Sequence, residues 1–201
     1  GQVIDFNGYG FSIENMRLPL IGDHQLKNTA TVLAAIAELK QRGYNIKEED
    51  IITGLETVKW PCRLYIACKN PIILIDGAHN EDGIASLQAA LEKYFGSRKK
   101  IFVIGMLEDK DYNYAVKKLI PMAHTVIATE PVSSRALAAS DMAEAVKPYC
   151  SSVEAEPDIA KAIEKAKSLY DAESMICICG SLYLAGSAYS ILETQEAGRK
   201  S

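Results

Sequence analysis

The sequence predicts an α/β protein built on a mostly parallel sheet, and three observations predict it. From residue 63 onward, short apolar runs alternate with longer amphipathic stretches, so strand and helix take turns along the chain. The runs at 101–105 and 174–179 are nearly unbroken in apolar residues, as in strands covered on both faces. The segments 63–68 and 72–76 are separated only by Lys69-Asn70-Pro71, too little chain for a parallel crossover, so they form an antiparallel hairpin at one edge.

The elements follow in order. Residues 2–6 and 9–13 alternate in polarity around Asn7-Gly8, a pair that tolerates positive φ, and predict a hairpin turning there. Leu26, Ala30, Leu33 and Ala37 recur at helical spacing, and Gly43 suits the helix end. A second helix fits 48–57 and stops at Lys59-Trp60-Pro61, because proline disfavours helix in the residue before it. Strands are expected at 63–68, 72–76, 101–105, 124–129, about 152–155 and 174–179. Helices are expected at 82–95, 111–121, 140–149, 157–171 and 181–195. Helices between parallel strands cover both faces, which makes residues 61–201 a Rossmann-like domain. The boundary is expected near 58–61, and the hairpin and two helices of residues 1–60 look too thin to bury a core alone. The tail "EAGRKS" is polar.

Bulk properties exclude several functions. A net charge of −4 with scattered Lys and Arg disfavours nucleic acid, whose phosphates need clustered cations. No apolar run nears the roughly 18 residues of a membrane span, and no charged-then-apolar leader is expected at the start. The five cysteines show no CxxC pattern and read as small buried hydrophobes of a reducing cytoplasm. His24, His79 and His124 stand far apart, so no metal site is expected.

In open α/β sheets ligands bind beyond the carboxyl ends of the strands. Those ends are followed here by Asp76-Gly77-Ala78-His79-Asn80, "MLEDKDY", "EPVSSRAL" and "GSLYLAG". Taken singly, each has a structural reading beside a functional one. Asp76 either caps the next helix, ties its own turn or binds ligand. His79 is either a structural histidine or a reacting group. Lys110, between Asp109 and Asp111, is either a solvated charge or an anion contact. Arg135 is either a surface residue or a second cation of the site, and Ser181 is either a helix cap or a donor. No G-x-x-x-x-G-K-[ST] phosphate loop, dinucleotide glycine fingerprint or G-x-S-x-G elbow occurs in the 201 residues.

Together, "LPLIGDHQLKNTATVLAAI", "WPCRL", "IDGAHNEDG", "GMLEDKDY", "SSRAL" and "GSLYLAG" resemble the folylpolyglutamate synthases and dihydrofolate synthases of the Mur-ligase superfamily, from about residue 18 to 190. The resemblance implies an ATP-dependent amide ligase that adds L-glutamate to the γ-carboxyl of a folate through an acyl phosphate. It implies that residues 1–60 are the last part of an ATPase domain and 61–201 the Rossmann-like domain that closes over it. ATP and Mg2+ would serve the full-length enzyme, with none expected on the fragment alone, which would be inactive without its phosphate loop. By resemblance, Asn28 reads adenine beside Gln25 and His24, Arg63 reaches ribose or phosphate oxygens, and Asp76 holds ribose hydroxyls. His79 and Lys110 are the catalytic candidates, and His79, Lys110, Arg135 and Ser181 would bind glutamate, Arg135 by a looser analogy with cell-wall ligases. Two residues depart from the pattern: Cys62 stands where glycine is usual, and Glu108 where a small residue is usual. The resemblance further suggests a cytoplasmic monomer acting on folate, L-glutamate and ATP, with no nucleic-acid or membrane partner. The alternatives are a non-catalytic nucleotide- or amino-acid-binding module of the same fold, a cell-wall ligase fragment, and a nicotinamide oxidoreductase.

Overall fold

The computed structural model describes residues 1–198, so residues 199–201 of the polar tail lie outside the described residues. The chain divides into two compact units, Gly1–Trp60 and Pro61–Ser201.

The first unit holds strands β1 (Gln2–Gly8) and β2 (Phe11–Leu18) and helices α1 (Asp23–Gln41) and α2 (Glu48–Thr57). The hairpin turns at Tyr9-Gly10, two residues later than the sequence suggests, and Asn7-Gly8 sits inside β1 opposite Ser12 and Phe11. Tyr9 and Gly10 have φ of 52° and 80°, the paired positive values a two-residue turn needs. The inner face of α1 also differs from expectation. Gln25, Thr29, Leu33 and Ala37 are buried, whereas Leu26 is exposed. The two polar residues are accommodated because Thr29 Oγ1 donates to Gln25 O (2.8 Å) and Asn28 Nδ2 donates to Gln25 Oε1 (3.1 Å). Phe11, Ile13, Met16, Leu33, Ala37 and Ile51 form a small core, so the unit buries one of its own, contrary to expectation. Alternation along β2 supplies one wall, and α1 and α2 supply the other.

The second unit is a six-stranded sheet with helices on both faces. Its strands are β3 (Tyr65–Lys69), β4 (Ile72–Ile75), β5 (Lys99–Ile104), β6 (Ala123–Ala128), β7 (Val153–Ala155) and β8 (Ser174–Cys179). The spatial order is β3-β4-β8-β5-β6-β7, antiparallel only at the β3–β4 edge hairpin. Helices α3 (Glu81–Phe95), α4 (Tyr112–Leu119), α5 (Ala139–Val146), α6 (Ile159–Ser168) and α7 (Leu182–Gly198) connect and follow the strands. A short 3-10 turn, Ile120–Met122, ends the α4 segment at Pro121.

Strand alternation sorts the core. Ile73, Ile75, Ile101, Val103, Ile127, Ile176 and Ile178 face α6 and α7, whose Ala162, Ile163, Ala166, Leu184, Ala185 and Ala188 complete that layer. The intervening residues turn to the opposite face, where α3, α4 and α5 pack side by side. β4 and β5 do not pair with each other, because β8 enters between them. The chain thus runs outward from β4 to β7 and then returns to the middle, placing the carboxyl ends of β4, β8 and β5 side by side. Such a reversal of strand order opens a crevice beyond the strand ends. No helix among the described residues is long and apolar enough to cross a membrane.

All five cysteines are free. Cys150, Cys177 and Cys179 are buried, while Cys62 and Cys68 are half-buried. A hydrogen bond to Cys179 and complete burial push the Cys177 thiol well above its usual range, as befits a packing residue.

Candidate functional site

Asp76 opens the loop after β4 and is buried. Its Oδ1 accepts from Ala78 N and its Oδ2 from Leu64 N, both at 2.8 Å. The carboxylate therefore ties its own turn and fastens it to the segment leading into β3. The cap of α3 belongs instead to Asn80, whose side chain accepts from Gly83 N at 2.9 Å. Gly77 donates its N–H to Cys62 O at 2.8 Å. A Cβ on Gly77 would stand 2.3 Å from Leu182 Cδ2, the tip of a half-exposed side chain, so a substitution there is met by turning that leucine away from the loop.

The segment fastened by Asp76 is backbone-strained. Cys62 has φ 64° and Leu64 has φ 45°, left-handed values that a side chain disfavours. This gives a physical reason for the glycine expected at position 62. Partial burial, then the Asp76 charge, push the Cys62 thiol up, so it is a poor nucleophile. Cys62→Gly is expected to melt at or above the wild-type temperature despite losing a half-buried side chain. Cys62→Val, a β-branched residue at the same φ, should melt below both the wild type and Cys62→Gly. A thermal melt that ranks valine above glycine contradicts the strain.

His79 Nδ1 lies 2.8 Å from Gly77 O. A carbonyl only accepts, so Nδ1 carries the proton, and Nε2 is the lone-pair nitrogen of the neutral ring. Ser181 is buried, and its hydroxyl accepts from Tyr183 N at 3.1 Å, capping α7. Lys110 precedes α4, which Asp111 caps by accepting from Tyr114 N at 2.9 Å.

The loop after β5 and the loop after β6 are joined by backbone. Leu137 N donates to Met106 O (3.0 Å) and Glu108 N to Arg135 O (2.9 Å), around an antiparallel bridge between Leu107 and Ala136. This zip carries Arg135 to the neighbourhood of Lys110, and Asp109 Oδ2 lies 3.1 Å from Arg135 Nη1 and 3.5 Å from Lys110 Nζ.

His79, Lys110, Arg135 and Ser181 then line one open cavity of about 170 Å³, with Leu107, Leu182 and Tyr183. The four residues expected to bind glutamate thus come together from four separate loops. The three apolar lining residues were not singled out in the sequence, although they sit in the quoted motifs just past β5 and β8. Arg63 is half-buried beside Cys62, and Asn28 is an exposed residue of α1 in the first unit. Among the described residues no three His, Cys, Asp or Glu side chains gather as a metal site.

Two cations, an oriented imidazole and a hydroxyl stand at the carboxyl edge of a doubly wound, mostly parallel sheet, an arrangement of a kind that suits a small anion. Residues 63–182 match the Mur ligase, glutamate ligase domain, and the chain belongs to that family. It is 32 % identical over 185 residues to the dihydrofolate synthase/folylpolyglutamate synthase of Bacillus subtilis, covering 91 % of this chain and 42 % of that protein. It is 35 % identical over 139 residues to the folylpolyglutamate synthase of Lacticaseibacillus casei, covering 68 % of this chain and 32 % of that protein. The crystal structure of Mycobacterium tuberculosis folylpolyglutamate synthase complexed with ADP and AMPPCP superposes with a TM-score of 0.83 at 30 % identity, covering 96 % of this chain and 45 % of that one. The chain therefore spans less than half the length of these relatives. The resemblance to the C-terminal portion of folylpolyglutamate synthases, read from the motifs, holds.

Proposed function

We propose that these residues are the amino-acid-binding part of an ATP-dependent ligase that adds L-glutamate to the γ-carboxyl of a (tetrahydro)folate. The observation that carries this reading is the convergence of His79, Lys110, Arg135 and Ser181 on one cavity, in a chain similar to folylpolyglutamate synthases over 91 % of its length.

A carboxylate resists attack by an amine, because oxide is a poor leaving group. Phosphorylation by ATP makes an acyl phosphate, and the neutral amine of glutamate then displaces phosphate. The protein's work is positioning and charge stabilisation. Lys110 and Arg135 hold the glutamate carboxylates, Ser181 donates to the same ligand, and Nε2 of His79 takes the proton of the attacking amine. Residues 1–60 are the closing piece of an ATPase domain. Asn28 there reads the adenine edge, since its amide offers both donor and acceptor. Arg63 contacts ribose or phosphate oxygens. Asp76 accepts from ribose hydroxyls, its carboxylate being held in place by Leu64 N and Ala78 N. Mg2+ would accompany ATP in the whole ligase, and among the described residues no three His, Cys, Asp or Glu side chains gather around a site for it. The whole ligase works as a cytoplasmic monomer, and these 201 residues, lacking a phosphate loop, do not ligate alone.

The test compares the product of the whole reading frame with the 201 residues by themselves, assaying ATP-dependent incorporation of L-glutamate into tetrahydrofolate. Incorporation by the longer product only is expected. Activity of the 201 residues alone would overturn their dependence on a further ATPase segment. No incorporation by either would favour the non-catalytic binding module.

A further inference from the structure

The two fixed cations of the cavity lean on one atom. Asp109 Oδ2 is 3.1 Å from Arg135 Nη1 and 3.5 Å from Lys110 Nζ. All three side chains are a third to a half exposed (Lys110 34 %, Asp109 44 %, Arg135 54 %). Ion pairs at that exposure contribute little to folding. The arrangement instead sets the charge of the site. The backbone zip between Met106–Glu108 and Arg135–Leu137 brings the loops that carry the two cations together, with Asp109 two residues from one bridged position and its carboxylate between them. Of its acidic neighbours, Glu108 is exposed and Asp111 is committed to the first turn of α4.

Two cations and one anion leave a net charge of +1. An amino dicarboxylate near neutrality carries two carboxylates and one ammonium, a net of −1. A diacid of the same length without the amine carries −2. The first matches the triad, and Asp109 offers its ammonium an oxygen. The second brings an extra negative charge toward a carboxylate a few ångströms away.

We propose that Asp109 is a positioning and selectivity residue: it makes the Lys110–Arg135 clamp accept an amino dicarboxylate and turn away dicarboxylates that lack the amine. This rests on reading the cavity as a glutamate clamp.

The test is an NMR titration of the isotope-labelled chain with L-glutamate and with glutarate at matched ionic strength, following the amides of Leu107, Ser181 and Tyr183. The wild type should prefer L-glutamate by about tenfold. Asp109→Asn should bind glutarate more tightly and L-glutamate more weakly, erasing the preference. Asp109→Glu should restore it. Weakening of both ligands by the same factor in Asp109→Asn would overturn the proposal and leave the clamp reading intact, because a merely structural loss does not sort the two ligands. Should that variant lose its fold, Asp109→Ser decides by the same comparison. If neither ligand shifts those amides in the wild type up to about 100 mM, the clamp reading falls and the proposal falls with it.

Discussion

Gly180→Ala lowers the melting temperature by roughly 5–15 °C, the result expected from a loss of about 2–4 kcal/mol in a domain of this size. Gly180 has φ 109°, a conformation that a side chain rarely adopts. An added Cβ would also lie 2.7 Å from Gly105 O and 2.9 Å from Met106 Cγ. The Gly105 carbonyl cannot swing aside, because the Gly105 Cα already packs where a Cβ would reach 2.4 Å from Thr129 O. The ends of β5, β6 and β8 are thus stacked backbone on backbone beneath the cavity. Displacing one moves Ser181, Leu107 and the loop of Lys110 together, so ligand contacts should weaken along with stability. Gly186 in α7 is the control. Nothing lies within 4 Å of its missing Cβ, and Gly186→Ala should raise stability by about 0.5–1 kcal/mol through helix propensity alone. A Gly180→Ala melt within 2 °C of wild type, with Gly186→Ala behaving as described, contradicts the packing account.

In the full-length ligase proposed above, Lys110→Ala and Arg63→Ala should each cost on the order of 10–100-fold, the equivalent of one charge-assisted hydrogen bond. The two losses should fall on different substrates. Lys110 faces the cavity and is two-thirds buried, so its removal should raise KM for L-glutamate and leave KM for ATP near wild type. Arg63, beside the strained Cys62, should do the reverse. The lower end of the range is the better guide for Lys110, because solvent reaches its ammonium and Asp109 already shares its charge. Unchanged kinetics for both variants would remove the assignment of these cations to substrate.

Much of the second unit was legible because its strands announce themselves. "KKIFVI" and "SMICIC" are apolar on both faces, which only a strand between two helical layers requires. Helix positions followed from period and caps, with ends moved by a few residues where Pro121 or Pro157 intervened. The first unit was harder. Tyr9 adopts the turn conformation that Asn and Gly tolerate better. A register choice of this kind is decided by which residues of β2 must face inward. Gln25 and Thr29 were passed over as core because their burial depends on side-chain hydrogen bonds that periodicity does not encode.

The site was legible in its parts and not in its assembly. The rule that ligands gather at carboxyl ends of parallel strands led to His79, Lys110, Arg135 and Ser181. It could not foresee that Asp109 would hold two of them, since that contact depends on the zip between two loops far apart in sequence. Nor could it separate the two readings of Asp76. The structure supplies the structural one, a clasp between Leu64 and Ala78. His79 and Asn80 follow directly from that clasp, so the polar cluster after β4 is a mechanical joint as well as a candidate contact surface.

The last strand of the chain occupies the middle of the sheet. During synthesis β4 and β5 emerge before β8, and neither has its central neighbour until residues 174–179 leave the ribosome. Until then the two halves of the sheet present open apolar edges, and the loops that will share the cavity belong to separate pieces. The carboxyl ends of β4 and β5 become neighbours only when β8 slots between them. Assembly of the binding cavity and completion of the fold are therefore a single late event. A chain cut before β8 leaves β3–β4 and β5–β6–β7 as two separate pieces, with His79 on one and Lys110 and Arg135 on the other.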